Sequence, residues 1–285
     1  MNQEIINLFD KYTHESMPRK QFLKKLTILT GSALAATSVL SLLETNYVHA
    51  ATIPETTSDL NTGYVEYEGA SGNIKAYLAS PLTRNIKPSV LVIHENRGLN
   101  PHIEDVTRRA AKAGFYAIAP DALSPLGGTP DDSNKAREMI RQLDATKTLG
   151  DFVAGVDHLK GLDETTESVG CVGFCWGGGM ANRLAVHSAN LTAAVAFYGR
   201  QAAVEDVPKI KASLLLNYAG LDTRINAGIP DYEDALKKNK IDYQLYIYDN
   251  VNHAFHNDTS ETRYNKEAAT LAWQRTIDFF NEKLR

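Results

Sequence analysis

The fold is decided by one short stretch, Gly173-Phe174-Cys175-Trp176-Gly177, and two more glycines follow it directly. An apolar run precedes the stretch and a helix-forming segment follows it. A strand, a sharp turn and a helix in this order are typical of a nucleophile elbow, here with cysteine in the place of serine. Such a turn is strained, so the residues two positions from the nucleophile must lack bulky side chains. At a helix N-terminus, unpaired N–H groups also favour the thiolate form of Cys175.

Two other interpretations of this stretch are open. The glycines also fit a plain strand-to-helix turn that contains a buried cysteine. A Gly-x-Gly-x-x-Gly nucleotide-binding loop fits less well, because the glycine spacing differs and Trp176 would crowd a pyrophosphate. A catalytic interpretation therefore depends on partners for Cys175 elsewhere in the chain.

The two cysteines are expected to be free thiols. Cys171 and Cys175 are four positions apart, and an extended segment separates such Cα atoms by about 13 Å. A disulfide needs a separation under roughly 7 Å.

The composition is that of an ordinary globular protein. The chain has 285 residues, of which 43% are hydrophobic and 22% are charged. A net charge of −4 gives no reason to expect nucleic-acid binding. Outside the N-terminus we find no long uncharged apolar run, so we expect no stable membrane span in the mature chain. These features leave the oligomeric state open, and the hydrolase interpretation argued below implies a small-molecule substrate.

The first fifty residues resemble a twin-arginine export signal in which lysine replaces the second arginine. Arg19-Lys20 precedes a weakly apolar stretch over residues 26–43, and Val48-His49-Ala50 is a small-residue cleavage site. We therefore expect residues 1–50 to be an export signal and the protein to be periplasmic. The alternative is an amphipathic N-terminal helix that stays on a cytoplasmic protein.

Strands and helices alternate after this leader. Residues 51–62 are predicted to be a linker, and residues 63–285 a single domain. The alternation predicts an α/β fold, with a mostly parallel sheet and helices on both faces. Ligand sites in such sheets lie beyond the carboxyl ends of the strands. The predicted strands are residues 64–68, 73–79, 89–94, 115–119, 168–172, 193–198, 213–218 and 243–248, and the predicted helices include residues 103–113, 134–143, 148–159 and 267–283.

Two loops beyond predicted strands supply partners for Cys175. Asp222 follows the strand at residues 213–218, and His253 follows the next strand. An imidazole can take the thiol proton while an aspartate fixes its tautomer. Nucleophile, acid and histidine also come in the chain order of α/β-hydrolases. Alone, Asp222 also fits a turn and His253 a surface loop, and His256 is a rival base.

The loop after the strand at residues 89–94 provides two further candidates. An oxyanion hole needs two N–H groups, and we expect these from the backbones of Trp176 and Asn96. Glu95 lies at the mouth of the same site. If its side chain turns inward, it is placed to take the proton from Cys175 or to modulate its charge.

Taken together, these residues resemble the dienelactone hydrolase family over residues 62–284. The resemblance implies an α/β-hydrolase fold and an acyl-enzyme route without metal or organic cofactor. It also implies a triad of Cys175, His253 and Asp222, in which Glu95 helps to activate the thiol. The segments that carry it are residues 94–99, 119–121, 173–178, 220–222 and 252–255.

One departure from the family concerns the substrate. Family members that cleave dienelactone hold its carboxylate with arginines, one of them four residues after the catalytic histidine, where this chain has Asn257. We therefore expect a different carboxylic ester or lactone. An acyltransferase or thioesterase-like use of the site, and an inactive exported binding protein, are the alternatives. The candidates for a replacement clamp are Arg97 and Arg263, then Arg200 and Arg137, although each is expected by default to be a surface charge.

Overall fold

A twisted sheet of eight strands organises the described part of the chain, which in this computed structural model comprises residues 1–44, 52–83 and 85–285. Its strand order is β1-β2-β4-β3-β5-β6-β7-β8. Strands β1 and β2 form an antiparallel hairpin at one edge, and β3 to β8 run parallel. The strands are β1 (Leu60–Gly69), β2 (Gly72–Pro81), β3 (Lys87–Ile93), β4 (Tyr116–Pro120), β5 (Thr165–Phe174), β6 (Leu191–Phe197), β7 (Ser213–Ala219) and β8 (Tyr243–Tyr248).

Helices cover both faces of the sheet, as the sequence predicts. Helices α6, α7 and α9 contribute to the core on one face, and α4 and α10 to the core on the other. Two short 3₁₀ helices lie at Ser124–Leu126 and Val204–Lys209. The α-helices are α1 (Gln3–His14), α2 (Arg19–Thr30), α3 (Ala33–Leu43), α4 (Pro101–Lys112), α5 (Ser133–Gln142), α6 (Ala145–Lys160), α7 (Trp176–His187), α8 (Thr223–Asn226), α9 (Ile229–Lys238) and α10 (Lys266–Leu284).

Strand β3 shows why the central strands read as continuous apolar runs. Val90 and Val92 pack into one core, whereas Leu91 and Ile93 pack into the other. Successive side chains of a strand point to opposite faces, so a strand covered on both sides must be apolar at every position. Each such side chain, fully buried, stabilises the fold by about 1.5–3 kcal/mol.

The boundaries differ from the sequence prediction in two places. Strand β1 begins at Leu60, inside the segment that we expected to be a linker, because Leu60 pairs with Pro81 at the end of the hairpin. Helices α8 and α9 lie between β7 and β8, where the sequence analysis assigned no element. Both cysteines are free, as expected.

The predicted leader forms three helices that pack on one another. They share an apolar cluster, in which the rings of Tyr12 and Phe22 stack with centroids 4.2 Å apart. Gly31, with a φ of 79°, ends α2, and α3 then leaves at 110° to it. Among the described residues no single helix is long and apolar enough to cross a membrane; α2 and α3 meet that test only as a bent pair. The expected cleavage site at residues 48–50 lies outside the described residues.

Candidate active site

The nucleophile candidate occupies a strained turn between β5 and α7. Cys175 has a φ of 56° and a ψ of −110°, in the left-handed half of backbone space that side chains disfavour. The glycines two positions before and after Cys175 have no room for side chains. A Cβ atom on Gly173 would lie 1.9 Å from the carbonyl oxygen of Gly177, and one on Gly177 would lie 2.4 Å from that of Ile93. The backbone therefore has the elbow geometry that the glycine spacing predicts.

The loops after β7 and β8 bring an acid and a base to this turn. His253 Nδ1 lies 2.5 Å from Asp222 Oδ2, and both side chains are buried. Asp222 Oδ1 also accepts a hydrogen bond from the backbone N–H of Ile225 at the start of α8, which fixes the carboxylate. A ring nitrogen of His253 lies within 4.8 Å of Cys175 Sγ, and among the described residues the buried Nε2 atom has no hydrogen-bond partner other than Cys175. The structure thus assembles Cys175, His253 and Asp222 at one point beyond the sheet.

Electrostatics favour a charged histidine in this group. Burial alone would lower the pKa of His253, but its electrostatic interaction with Cys175 and its hydrogen bonds to Asp222 and Cys175 raise it to about 10. Burial would raise the pKa of Asp222, yet its hydrogen bond to His253 and the nearby charges lower it overall. The surroundings of His253 therefore favour its charged imidazolium form.

Glu95 turns inward instead of pointing to solvent. Its side chain is buried, and its Oε2 accepts a 2.6 Å hydrogen bond from Asn257 Nδ2. Asn257 Oδ1 in turn accepts hydrogen bonds from the backbone N–H and the hydroxyl of Thr259. Asn257, at the position of the missing arginine, thus holds Glu95 in place.

Tyr198 is a site residue that the sequence analysis missed. Its hydroxyl donates a 3.4 Å hydrogen bond to Glu95 Oε1, and its ring centroid lies 4.9 Å from that of His253. Burial and the negative charges of Glu95 and Cys175 raise the pKa of Tyr198 well above its usual value, so the hydroxyl remains a donor. Tyr198 directly follows β6, just as Asp222 follows β7 beyond a short turn. A search for polar side chains just beyond the carboxyl ends of the parallel strands would therefore have found Tyr198 as well.

The expected oxyanion-hole residues both line the cavity in front of Cys175. Trp176 is the first residue of α7, and its ring stacks on His94 with centroids 5.2 Å apart. His94 donates from Nδ1 to the carbonyl oxygen of Glu95 and accepts at Nε2 from the backbone N–H of Ala122. This histidine therefore fixes the loop that carries Asn96.

His256, the rival base, is placed elsewhere. Its ring stacks on Phe174 and packs against Phe197 and Trp273, and it does not line the cavity. Burial lowers the pKa of His256 well below its usual value. It therefore belongs to an aromatic cluster behind the site.

Five arginines line the main cavity of the site. The main cavity has a volume of about 370 Å³, and among the residues that the structure describes no aspartate or glutamate lines it. A smaller cavity beside Cys175 is lined by Arg97 and Arg263. Both of these side chains are buried, as is Arg137, so the expectation of surface charges is wrong for all three; Arg200 is exposed. The arginines of the main cavity are Arg137, Arg141, Arg183, Arg200 and Arg224.

Comparison with known sequences decides the family. The sequence profile of the dienelactone hydrolase family matches residues 74–284. The chain belongs to the dienelactone hydrolase family. A provisionally named carboxymethylenebutenolidase of Saccharolobus solfataricus is 33% identical over 251 residues, which cover 75% of this chain and 95% of that protein. Another from Methylorubrum extorquens is 30% identical over 271 residues, 90% of each chain.

Solved structures agree with this assignment. The crystal structure of a provisionally named dienelactone hydrolase from Klebsiella pneumoniae superposes with a TM-score of 0.69 at 27% identity, and the match covers 78% of this chain and 98% of that one. The predicted α/β-hydrolase fold is therefore confirmed. As a member of the dienelactone hydrolase family, the protein is a hydrolase that acts on ester bonds.

The N-terminal helices precede residues 74–284, the part of the chain that matches the dienelactone hydrolase family, and they close over the active site. The end of α1 reaches the nucleophile, where His14 Nε2 lies 3.1 Å from Cys175 Sγ. The His14 ring also packs edge-on against that of His253, with centroids 4.5 Å apart. Burial, then the charges of His253 and nearby arginines, lower the pKa of His14 well below its usual value. The sequence analysis gave no indication of this contact.

Several polar contacts hold the end of α1 on the domain. The carbonyl oxygen of Thr13 accepts hydrogen bonds from Asn96 Nδ2 and Arg141 Nη2, and Arg141 also donates to the carbonyl oxygen of Glu15. Arg263 Nη1 lies 3.1 Å from Asp10 Oδ1. Two of the arginines and one oxyanion-hole candidate are thus engaged by the segment that resembles an export signal.

Proposed function

We propose that this hydrolase cleaves a small carboxylic ester or lactone through an acyl-cysteine intermediate, with Cys175 as nucleophile, His253 as acid and base, and Asp222 as its orienting partner. The observation that carries the proposal is the 2.5 Å contact between His253 Nδ1 and Asp222 Oδ2, with Nε2 left facing the elbow cysteine. A nucleophile, a base and a group that orients the base are the parts that covalent acyl transfer needs.

In the first half-reaction, the Cys175 thiolate attacks the carbonyl carbon and forms a C–S bond. The backbone N–H groups of Trp176 and Asn96 stabilise the resulting oxyanion. Collapse breaks the C–O bond to the leaving group, which takes a proton from the His253 imidazolium. In the second half-reaction, His253 removes a proton from water, and the hydroxide displaces the thiolate from the thioester. The products are an alcohol and an acid, or one hydroxy acid from a lactone.

Glu95 serves the first of these steps in our proposal. Its position beside Cys175, held by Asn257 and Tyr198, supports a role in activating the thiol. A carboxylate in that place accepts the thiol proton or adjusts the charge of the thiolate–imidazolium pair. Tyr198 then positions both Glu95 and His253.

The charge of the cavity supports an anionic ester or lactone as substrate. Guanidinium groups bind carboxylates in a bidentate manner, and the cavity offers five of them, of which Arg224 lies 3.9 Å from Asp222 Oδ2. Arg137 is the strongest candidate, because it is buried and its Nε and Nη1 have no hydrogen-bond partner. In this proposal Arg137 replaces the clamp that Asn257 does not supply, and Arg97 and Arg263 assist from the smaller cavity.

The location of the protein is a separate proposal. We infer that residues 1–50 direct export to the periplasm, which the Arg19-Lys20 pair and the weakly apolar segment after it support. A reporter fused to residues 1–60 should appear in the periplasm of a bacterium with the twin-arginine pathway. A reporter that stays in the cytoplasm would argue for a retained N-terminal segment.

The experiment for the enzymatic proposal is a panel of esters and lactones, each with and without a carboxylate. We expect turnover of anionic members, a mass increase on Cys175 that corresponds to the acyl group, and near-complete loss of activity in Cys175→Ala. Glu95→Gln should slow acylation by about 100-fold, in the range of general base catalysis, whereas Glu205→Gln, an exposed matched change, should not.

Three results would contradict the proposal. An unimpaired Glu95→Gln enzyme would exclude the role of Glu95. Acyl transfer to added alcohols or amines in preference to water would indicate an acyltransferase. No turnover at all, with a Cys175 that iodoacetamide does not modify, would indicate a binding protein.

A further inference from the structure

The N-terminal segment brings a third metal-binding side chain to the active site. Cys175 Sγ and one ring nitrogen from each of His14 and His253 all lie within 4.8 Å of one another, and His14 Nε2 is 3.1 Å from the sulfur. Tetrahedral zinc has Zn–S distances of about 2.3 Å and Zn–N distances of about 2.0–2.1 Å, so its ligand atoms are roughly 3.5 Å apart. The three atoms are therefore close enough for small side-chain rotations to bring them around one zinc ion.

Contacts on the far side of each imidazole turn its Nε2 toward that space. His253 Nδ1 is held by the Asp222 carboxylate, and His14 Nδ1 lies 2.8 Å from the carbonyl oxygen of Asp10. A histidine that donates from Nδ1 to a carboxylate or a backbone carbonyl presents Nε2 to a metal once that atom has lost its proton, as zinc-binding histidines do. His253 Nε2 is buried, and Cys175 is the one hydrogen-bond partner that its surroundings among the described residues offer it.

We propose that Zn²⁺ binds to Cys175, His14 and His253 and locks the N-terminal segment over the active site. A thiolate with two imidazoles selects zinc over magnesium or calcium, which prefer oxygen ligands. The three side chains would leave a fourth tetrahedral position for a water molecule. Binding releases the one proton that Cys175 and His253 share, because both must bind as their deprotonated forms.

This zinc is an inhibitor and not a cofactor. It occupies the sulfur lone pair that attacks the ester and the Nε2 atom that carries the proton, so neither step of hydrolysis can proceed. The site also needs His14, and therefore exists only while the N-terminal helices remain attached. Before export and cleavage, zinc would thus keep the enzyme inactive. The metal site rests on geometry alone, whereas its inhibitory effect rests on the proposed function.

The test uses the full chain, stripped of metal, and cobalt as the spectroscopic probe. We expect Co²⁺ to bind at one equivalent and to give both a thiolate-to-cobalt charge-transfer band and the intense visible bands of four-coordinate cobalt. Zn²⁺ should displace it and abolish the spectrum. Cys175→Ser should lose the charge-transfer band. His14→Ala should bind at least about 100-fold more weakly, since changes to outer-shell groups alone cost 10–100-fold.

His187→Ala is the matched control, because His187 is an exposed histidine at the end of α7. It should bind cobalt as the wild type does, and circular dichroism should show that His14→Ala remains folded. The proposal is overturned if the wild type gives no charge-transfer band, or if His14→Ala retains wild-type affinity. The latter result would assign any ion to Cys175 and His253 alone.

The spectroscopic readout separates this proposal from the enzymatic one. A protein that binds cobalt but turns over no ester would retain the metal site and lose the proposed function. A protein that hydrolyses esters, gives no cobalt spectrum and is indifferent to Zn²⁺ would keep the proposed function and overturn the metal site. If the metal site and the enzymatic function are both correct, a chelator should restore the activity that Zn²⁺ removes in the full chain.

Discussion

At the scale of single residues, the side chains that meet at Cys175 come from the carboxyl ends of parallel strands, with His14 as the exception. Cys175, Asp222 and His253 meet because each follows a parallel strand, and the carboxyl ends of parallel strands share one edge of the sheet. Tyr198 obeys the same rule. His14 does not: it arrives from a helix far away in sequence, and no local pattern marks a helical histidine that will contact a distant thiol.

The raised pKa of His253 predicts how stability depends on pH. A group with a raised pKa contributes stability that is complete below its unfolded-state pKa of about 6.5 and is lost as the pH rises toward about 10. Asp222→Asn removes one of the groups that raise this pKa. Between pH 6.5 and pH 10, the free energy of unfolding should therefore fall less in Asp222→Asn than in the wild type.

Urea unfolding at several pH values measures this difference, which we expect to reach a few kcal/mol at most. Asp249→Asn is the control, because it makes the same chemical change at an exposed position close to His253 in the chain. Its pH dependence should match the wild type. Parallel curves for Asp222→Asn and the wild type would contradict the coupling of Asp222 to His253.

At the scale of elements, the strands were the predictable part of the fold. Buried parallel strands are short apolar runs between polar turns, and each strand of the described sheet was predicted within a few residues. Helix α9 was missed because its buried face consists of few residues, chiefly Ile229, Tyr232 and Leu236, among charged ones. The packing of α1 to α3 was missed because a weakly apolar, basic segment fits a leader as well as a folded subdomain.

The elbow predicts opposite outcomes for two glycines of α7. A Cβ atom on Gly177 would lie 2.4 Å from a backbone oxygen of β3, which cannot move without disturbing the sheet. Gly177→Ala should therefore destabilise the protein by about 1–3 kcal/mol, or prevent folding. At Gly179 the nearest atom would lie 3.6 Å away, in ordinary contact. Gly179→Ala should be neutral or stabilising by up to about 1 kcal/mol, because alanine favours the helix.

Thermal unfolding of the two variants beside the wild type makes this comparison directly. The two substitutions add the same methyl group to the same helix, so helix propensity and loss of chain flexibility are matched. If Gly177→Ala were as stable as Gly179→Ala, the close approach of α7 to β3 would be wrong, and with it the geometry that presents Cys175.

At the scale of the whole molecule, the N-terminal helices and the hydrolase domain form one unit around the active site. Cys175 faces a cavity that five arginines of the domain and two residues of α1, Thr13 and His14, line together. With the helices in place, His14 contacts the nucleophile, and Arg141 and Arg263 are engaged by Glu15 and Asp10. The segment that resembles an export signal therefore occupies positions that a substrate needs.

Removal of residues 1–50 should accordingly expose Cys175. We expect iodoacetamide to modify this cysteine about tenfold faster in residues 51–285 than in the metal-free full chain, because loss of one hydrogen bond of about 1 kcal/mol combines with freer access. Ester turnover should rise in parallel. Asp10→Asn in the full chain weakens the contact with Arg263 without shortening the protein, and should give an intermediate rate. Equal rates in all three proteins would mean that the helices do not restrict the site, and that α1 leaves Cys175 faster than reagents reach it.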